Sequence, residues 1–220
     1  MKELSFIQRH AKAVVIGLSG GIDSAVVAAL CTKALGKKNV LALIMPEKRD
    51  QHYKDALAYA KQLGIEYKVI DIAPIVKQFD KVCKPANKKA RANIRARVRM
   101  TLLYYYSNLL DRRVAGTSNR SELEIGYFTK WGDGAADFLP IAHLYKSQVN
   151  GLARELGVPE KIIRKKPTAG LWRGQSDEGE LGISYAELDA ALHGKKNARV
   201  EHWKKESAHK RRMPPTLLSS

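Results

Sequence analysis

Four short apolar runs punctuate the first half of the chain: AVVIGL (13–18), VLALIM (40–45), EYKVIDI (66–72) and RRVAGT (112–117). Their length and β-branched content predict strands, and helix-length sequence separates each from the next. Strands that alternate with helices predict a doubly wound parallel α/β sheet covered on both faces. Ahead of the fourth run, Ile94, Val98, Leu102, Tyr105 and Leu109 recur on one side of a helix predicted over 92–110. Its arginines divide: Arg91, Arg95 and Arg99 form a stripe expected to face solvent, whereas Arg97 borders the apolar side. Three successive aromatics, Tyr104, Tyr105 and Tyr106, cannot all face one core, so one side of this helix is expected to meet a second copy of the chain. After Thr117 the texture becomes glycine-rich, aromatic and polar, GYFTKWGDGAADFLP, which reads as a binding loop. Helical sequence resumes near 147–156 and 184–192, and the closing MPPTLLSS reads as loose chain.

Composition narrows the class. The 220 residues, 45% of them hydrophobic, are expected to form one domain over 1–220, with a basic tail at 204–220 that is mobile without ligand. No apolar stretch approaches the ~20 residues of a membrane span and the start MKELSFIQRH is not a secretory signal, so a cytoplasmic protein is expected. Cys31 and Cys83 stand alone, which argues against a disulfide framework or a zinc site. The 39 Lys and Arg against 22 Asp and Glu leave a charge of +17, which calls for an anionic partner: nucleic acid, a membrane surface or a polyphosphate. The segment KPANKKARANIRARVR (84–99) alone carries seven bases and no acid.

The chemistry concentrates at GLSGGIDS (17–24), directly after the first strand. In an open parallel sheet, ligands bind beyond the carboxyl ends of the strands. Gly20 and Gly21 uncover backbone N–H groups there, and the helix starting near Ile22 adds its positive dipole end, which together make an anion site. Ser19 and Ser24 add hydroxyls, but no GKS or GKT follows, so the common phosphate loop of ATPases is not matched. Asp23 would repel phosphate oxygens unless Mg²⁺ lies between them, and this ion commonly takes one or two carboxylates plus phosphate oxygens.

This loop resembles the SGGxDS pyrophosphate-binding loop of the ATP pyrophosphatases, a group that includes NAD, GMP and asparagine synthetases and tRNA-modifying sulfur transferases. The loop alone does not choose among them. Downstream, NIRARVRM, GTSNRSELEIGYFTKWGDGAADFLPIAHLYKSQV, KKPTAGLW, DEGELGISY and AHKRRMPP resemble, in this order, the ammonia-dependent NAD synthetase family over nearly the whole chain. The resemblance implies the Rossmann-like fold of ATP pyrophosphatase type and a reaction in which the nicotinate carboxylate of deamido-NAD attacks the α-phosphate of ATP. Pyrophosphate leaves, and ammonia then displaces AMP from the acyl-adenylate to give NAD.

Carried onto this sequence, the resemblance implies that Gly17, Leu18, Ser19, Gly20, Gly21, Ile22, Asp23 and Ser24 hold ATP together with Thr117, Lys146 and Thr168. It implies Mg²⁺ at Asp23 and Glu122, and deamido-NAD at Arg97, Lys130, Asp137, His209 and Lys210. It also implies a homodimer with deamido-NAD near its interface. No side chain need serve as a covalent nucleophile, since the substrate carboxylate takes that part. The second strand ends MPEKRDQHYKDA, whereas the family usually has a serine or threonine shortly after MP, near the adenosine. A sulfur transferase would need a reactive cysteine pair, which Cys31 and Cys83 do not form. A nucleic-acid-binding protein would have no use for Asp23 and Glu122, so nucleic acid is not required as a partner. Neither cysteine has an amidase setting, so free ammonia rather than glutamine is the expected nitrogen source.

Overall fold

The computed structural model describes residues 2–83, 87–168 and 175–217. The four expected strands are present as β1 (Val14–Gly17), β2 (Val40–Ile44), β3 (Glu66–Val69) and β4 (Arg113–Ala115). They form one parallel sheet in the order β3-β2-β1-β4, in which Val14 lies opposite both Val40 and Arg113. The chain steps outward from β1 to β3, then crosses back to lay β4 on the other side of β1. The loops that follow β1 and β4 therefore diverge from a switch point, where open parallel sheets hold their ligands.

Among the described residues the helices are α1 (Lys2–His10), α2 (Ile22–Leu35), α3 (Gln51–Leu63), α4 (Ala73–Val82), α5 (Lys88–Leu110), α6 (Arg120–Ile125), α7 (Lys146–Glu155), α8 (Glu160–Ile163), α9 (Asp177–Leu181), α10 (Tyr185–Leu192) and α11 (Ala198–Glu206). None is long and apolar enough to cross a membrane. The strands sort their side chains with period two. Val14, Ile16, Val40, Ala42 and Ile44 pack with Ile7 of α1, Val26 of α2, Tyr59 of α3 and Val149 of α7. Val15, Leu41 and Leu43 pack on the other face with Val76 of α4 and Val98 of α5. A separate small core of Ile125, Leu181, Tyr185, Leu188 and Val200 ties α6 to α9, α10 and α11.

Two expectations about α5 are corrected. The Arg91, Arg95 and Arg99 stripe is not a solvated face. Arg95 is buried, with Nε and Nη2 at 2.5 and 3.0 Å from the two Glu47 oxygens, and Arg99 Nε donates to Met45 O at 3.1 Å. The cause is Glu47, just beyond β2, which offers the arginines a carboxylate. Burial would raise the Glu47 pKa, but Arg95, with Arg91 and Arg99 behind it, holds it below the usual range. Arg91 alone stays near solvent, paired with Asp80. The apolar side also fails to continue: Ile94, Val98, Leu102, Leu103 and Tyr106 join the core, whereas Tyr105 and Leu109 are 58% and 60% exposed.

Tyr59 is fully buried and its hydroxyl has no hydrogen-bond partner among the described residues. Burial pushes its pKa up to about 12. An unpaired buried polar group costs about 1–3 kcal/mol, so Tyr59→Phe is expected to stabilise the protein by about 1 kcal/mol. Calorimetry should show Tm rising by about 2–4 °C; a lower Tm would mean that the hydroxyl has a partner.

Candidate active site

Beyond β1 the chain keeps register for one more residue, with Leu18 N donating to Leu43 O at 2.9 Å, and then turns through Ser19, Gly20 and Gly21 into α2. Gly20 has φ +80°, and a Cβ there would strike the His52 carbonyl oxygen, so the turn demands glycine. Hydroxyls brace it from within. Ser24 Oγ donates to Gly21 O at 3.0 Å, accepts from Ser19 N at 3.2 Å and lies 3.0 Å from Ser19 Oγ. No side chain caps the N-terminus of α2, which leaves the positive end of a 14-residue helix available to an anion.

Asp23, in the first turn of α2, meets residues from beyond β4. Asn119 caps α6 by accepting from Glu122 N at 3.0 Å, while Glu122 Oε2 accepts from Asn119 N at 3.3 Å. The other end of the same amide, Asn119 Nδ2, donates to Asp23 Oδ1 at 2.9 Å. Lys146, the first residue of α7, places Nζ 2.5 Å from Asp23 Oδ2 and 3.6 Å from Glu122 Oε1. Its backbone is anchored as well. Lys146 N donates to Ser121 Oγ at 3.0 Å, and Ser121 Oγ donates to Asp189 Oδ1 at 2.5 Å.

Three ionisable groups thus share one pocket of low exposure. Burial would depress the Lys146 pKa, but Asp23 and Glu122 outweigh it and keep the ammonium protonated. Burial, reinforced by the Asp23 charge, pushes Glu122 up to about 8. Glu122 therefore holds its proton near neutral pH, and once it ionises the site is one positive charge short of neutralising both acids. That shortfall and the hard oxygen donors suit Mg²⁺, which accepts two carboxylates and takes its remaining ligands from phosphate and water. Among the described residues there is no group of three or more His, Cys, Asp and Glu of the kind that would hold a metal by protein ligands alone.

Tyr185 lies beside this cluster, its ring centroid 5.1 Å from Lys146 Nζ. Its hydroxyl donates to Asp177 Oδ2 at 3.1 Å, and Tyr127 donates to Asp177 Oδ1 at 3.2 Å. Burial and the nearby acids hold both phenols protonated. Gln175 Nε2 donates to the Tyr127 hydroxyl at 3.1 Å, and Thr168 Oγ1 donates to Gln175 Oε1 at 3.1 Å. Thr168 is thereby linked to the Lys146 cluster. The rest of its motif, 169–172, lies outside the described residues, as do Lys84 and 218–220. Thr117 stands half-buried two residues past β4.

The residues expected at deamido-NAD fall into two groups. Arg97 Nη2 donates to Lys130 O at 3.3 Å, Lys130 Nζ donates to His209 O at 2.7 Å, and Lys210 Nζ donates to Gly126 O and Phe128 O at 2.8 and 2.9 Å. Arg97, Lys130, His209 and Lys210 therefore stand together. Asp137 instead sits at the sheet, where its Oδ2 accepts from Val114 N at 2.7 Å and its Oδ1 accepts from Tyr104 at 3.4 Å. Asn119, Ser121, Asp177, Tyr185 and Asp189 also belong to this network, and none is expected from the sequence. The first four lie inside the family motifs; Asn119 and Ser121 meet partners far away in the chain, whereas Tyr185 bonds Asp177 of its own motif.

Two carboxylates and a lysine converge beside the turn at the switch point, and the chain as a whole matches a known family. The NAD synthase family model matches residues 5–214. The chain belongs to the NAD synthase family. The NH(3)-dependent NAD(+) synthetase of Archaeoglobus fulgidus is 53% identical over 214 residues, covering 92% of this chain and 87% of that protein. Among solved NAD synthase relatives, the NH3-dependent NAD synthetase of Campylobacter jejuni, in complex with a nitrate ion, has a TM-score of 0.82 at 38% identity and covers 98% of this chain and 96% of its own. The NMN synthetase of Francisella tularensis has a TM-score of 0.92 at 42% identity, covering 98% and 95%. The glutamine-dependent NAD+ synthetase of Acinetobacter baumannii, at 0.71 and 27%, covers 99% of this chain but only 45% of its own.

The Lys146 ammonium lies between the two acids in this NAD synthase family member, and its removal leaves them facing each other. Lys146→Met is expected to cost about 3–5 kcal/mol in urea denaturation without ligand. A loss below about 1 kcal/mol would mean that the pair does not depend on the ammonium.

Proposed function

We propose that this chain is an ammonia-dependent NAD synthetase: it amidates deamido-NAD with ammonia, converting ATP to AMP and pyrophosphate, in the last step of NAD biosynthesis. The observation that carries the reading is the convergence of Asp23 from the loop after β1, Glu122 from beyond β4 and Lys146 from α7 on an open helix N-terminus. Family membership and the relatives' names support the same activity.

The residues divide the work by charge. The Gly17–Ser24 turn and the positive end of α2 take the ATP phosphates, with Thr117 and Thr168 alongside. Asp23 and Glu122 would hold Mg²⁺, which neutralises phosphate charge as pyrophosphate departs. Lys146 then exchanges its carboxylate partners for phosphate oxygens. Arg97, Lys130, His209, Lys210 and Asp137 receive deamido-NAD and bring its carboxylate to the α-phosphorus. The carboxylate oxygen forms the new P–O bond, pyrophosphate takes the breaking bond's electrons, and ammonia adds to the acyl carbon of the resulting acyl-adenylate, loses a proton and expels AMP. Alignment of two anions is a large part of the rate, since well-oriented reactants gain up to about 7–11 kcal/mol. We place the protein in the cytoplasm as a single 1–220 domain.

One observation favours a second acceptor. The TM-score of 0.92 to an NMN synthetase raises the mononucleotide counterpart of deamido-NAD as the acid amidated. Assays of both acids with ATP, Mg²⁺ and ammonium distinguish the readings. Faster amidation of deamido-NAD, absent in a folded Asp23→Asn protein, is expected; preference for the mononucleotide would select the second reading. Ammonium should be used and glutamine should not, with the rate at fixed total ammonium rising from neutral pH towards about 9 because only free ammonia attacks. Equal rates with glutamine, in protein free of separate glutaminase, would overturn the nitrogen assignment.

We also propose a homodimer. Ile75, Phe79 and Val82 of α4 and Tyr105, Leu109 and Leu110 of α5 are apolar and exposed. A cleft of about 240 Å³ lined by Ile75, Phe79, Ile94, Arg97, Val98, Thr101 and Leu102 opens beside them, so Arg97 would lie at the seam. Light scattering is expected to give twice the 24.5 kDa chain mass, reduced to 24.5 kDa by Leu109→Glu. A monomer with full activity would refute the dimer.

A further inference from the structure

The turn that faces the ligand edge is also gripped from behind. Lys165 Nζ donates to the Gly20 carbonyl oxygen at 3.1 Å, and the same ammonium lies 2.7 Å from Asp55 Oδ2. Asp55 is buried on α3, where its Oδ1 accepts from Gln51 Nε2 at 3.0 Å and pairs with Lys161 Nζ at 3.1 Å. Burial alone would raise its pKa, but the bonds from Lys165, Lys161 and Gln51 hold the carboxyl below the usual range. Asp55 therefore stays ionised, and the Lys165 side chain, only 18% exposed, is tied to it. Three stretches meet at this point: the 17–24 turn, the first turns of α3 and the segment after α8. The last of these runs on to Thr168, three residues further along.

Peptide geometry gives the contact its meaning. The Gly20–Gly21 peptide is planar and trans, so its C=O and N–H point in opposite directions. With the carbonyl turned to Lys165, Gly21 N–H is turned to the inside of the turn, where it donates to Ser19 Oγ at 3.2 Å. Glycine permits the reverse orientation as readily, since it has no Cβ to forbid it. A flipped peptide would present carbonyl oxygens to phosphate oxygens.

We propose that Lys165, clamped by Asp55, is a positioning residue for ATP: it holds the Gly20 carbonyl away from the phosphates, with the peptide N–H on Ser19 Oγ, and so sets ATP affinity without contacting the nicotinate substrate. This rests on the reading of the 17–24 turn as the ATP phosphate site. The test is calorimetric binding of α,β-methylene-ATP with Mg²⁺, and separately of deamido-NAD, to the full chain and to Lys165→Met, Lys165→Arg and Asp55→Asn. Loss of a charge-assisted hydrogen bond predicts analogue binding weakened about tenfold in Lys165→Met and Asp55→Asn, recovery to within about threefold in Lys165→Arg, and deamido-NAD binding within about twofold throughout. Asp55→Asn keeps the shape of the side chain and serves if Lys165→Met does not fold. Unchanged analogue binding in a folded variant, or equal weakening of both ligands, would overturn the inference. No analogue binding by the unaltered protein would overturn the ATP reading, and this inference with it.

Discussion

A protonated lysine held between two carboxylates in a pocket of low exposure is the constraint around which the rest of the molecule is arranged. Asp23 and Glu122 are separated by almost a hundred residues, and two acids brought together out of water repel unless a cation lies between them. Lys146 supplies it, 2.5 Å from one and 3.6 Å from the other. The Asn119 amide ties Asp23 to the capping box of α6, and Ser121 and Asp189 hold the backbone of Lys146. Each acid is thus fixed by bonds other than the one to the ammonium, so that in the proposed reaction Lys146 would turn to a phosphate while the carboxylates remain in place for a metal. Preorganisation of this kind is what electrostatic catalysis requires, because the two carboxylates, unlike the lysine, need not move as the reaction proceeds.

Sheet topology makes the meeting possible. With β4 beside β1, the loops that follow them open from one crevice, and one carboxylate arrives on each. Behind the crevice, Val15, Leu41 and Leu43 on one face and Val14, Ile16 and Ala42 on the other are fully buried, so the strand ends have little freedom to shift. Outside the sheet, Lys130 reaches His209 and Lys210 reaches the 126–128 backbone, and under the proposed function these segments share dinucleotide recognition with Asp137 at the sheet.

Much of this was legible along the chain because it is local. The four strands follow from short β-branched runs, and the anion turn from glycines at a strand–helix junction. What was misread depends on partners remote in sequence. Arg95 and Arg99 look solvated because charge normally faces water, yet Glu47, 48 residues before Arg95, draws them inward. MPEKRDQHYKDA could be noted only as a departure from the family pattern; folded, it supplies Glu47 to those arginines and Asp55 to Lys165. Thr168 was named from its motif, whereas Lys165, three residues earlier, carries no pattern of its own and gains significance only from a contact with Gly20, 145 positions away.

We propose that Asp23 and Glu122 form one divalent-cation site that is completed by ATP phosphates. Electron paramagnetic resonance of Mn²⁺ titrated into the protein with α,β-methylene-ATP tests it directly. One bound ion per chain is expected when the analogue is present, with loss of that ion from folded Asp23→Asn and Glu122→Gln proteins. Undiminished Mn²⁺ binding in either variant would contradict it.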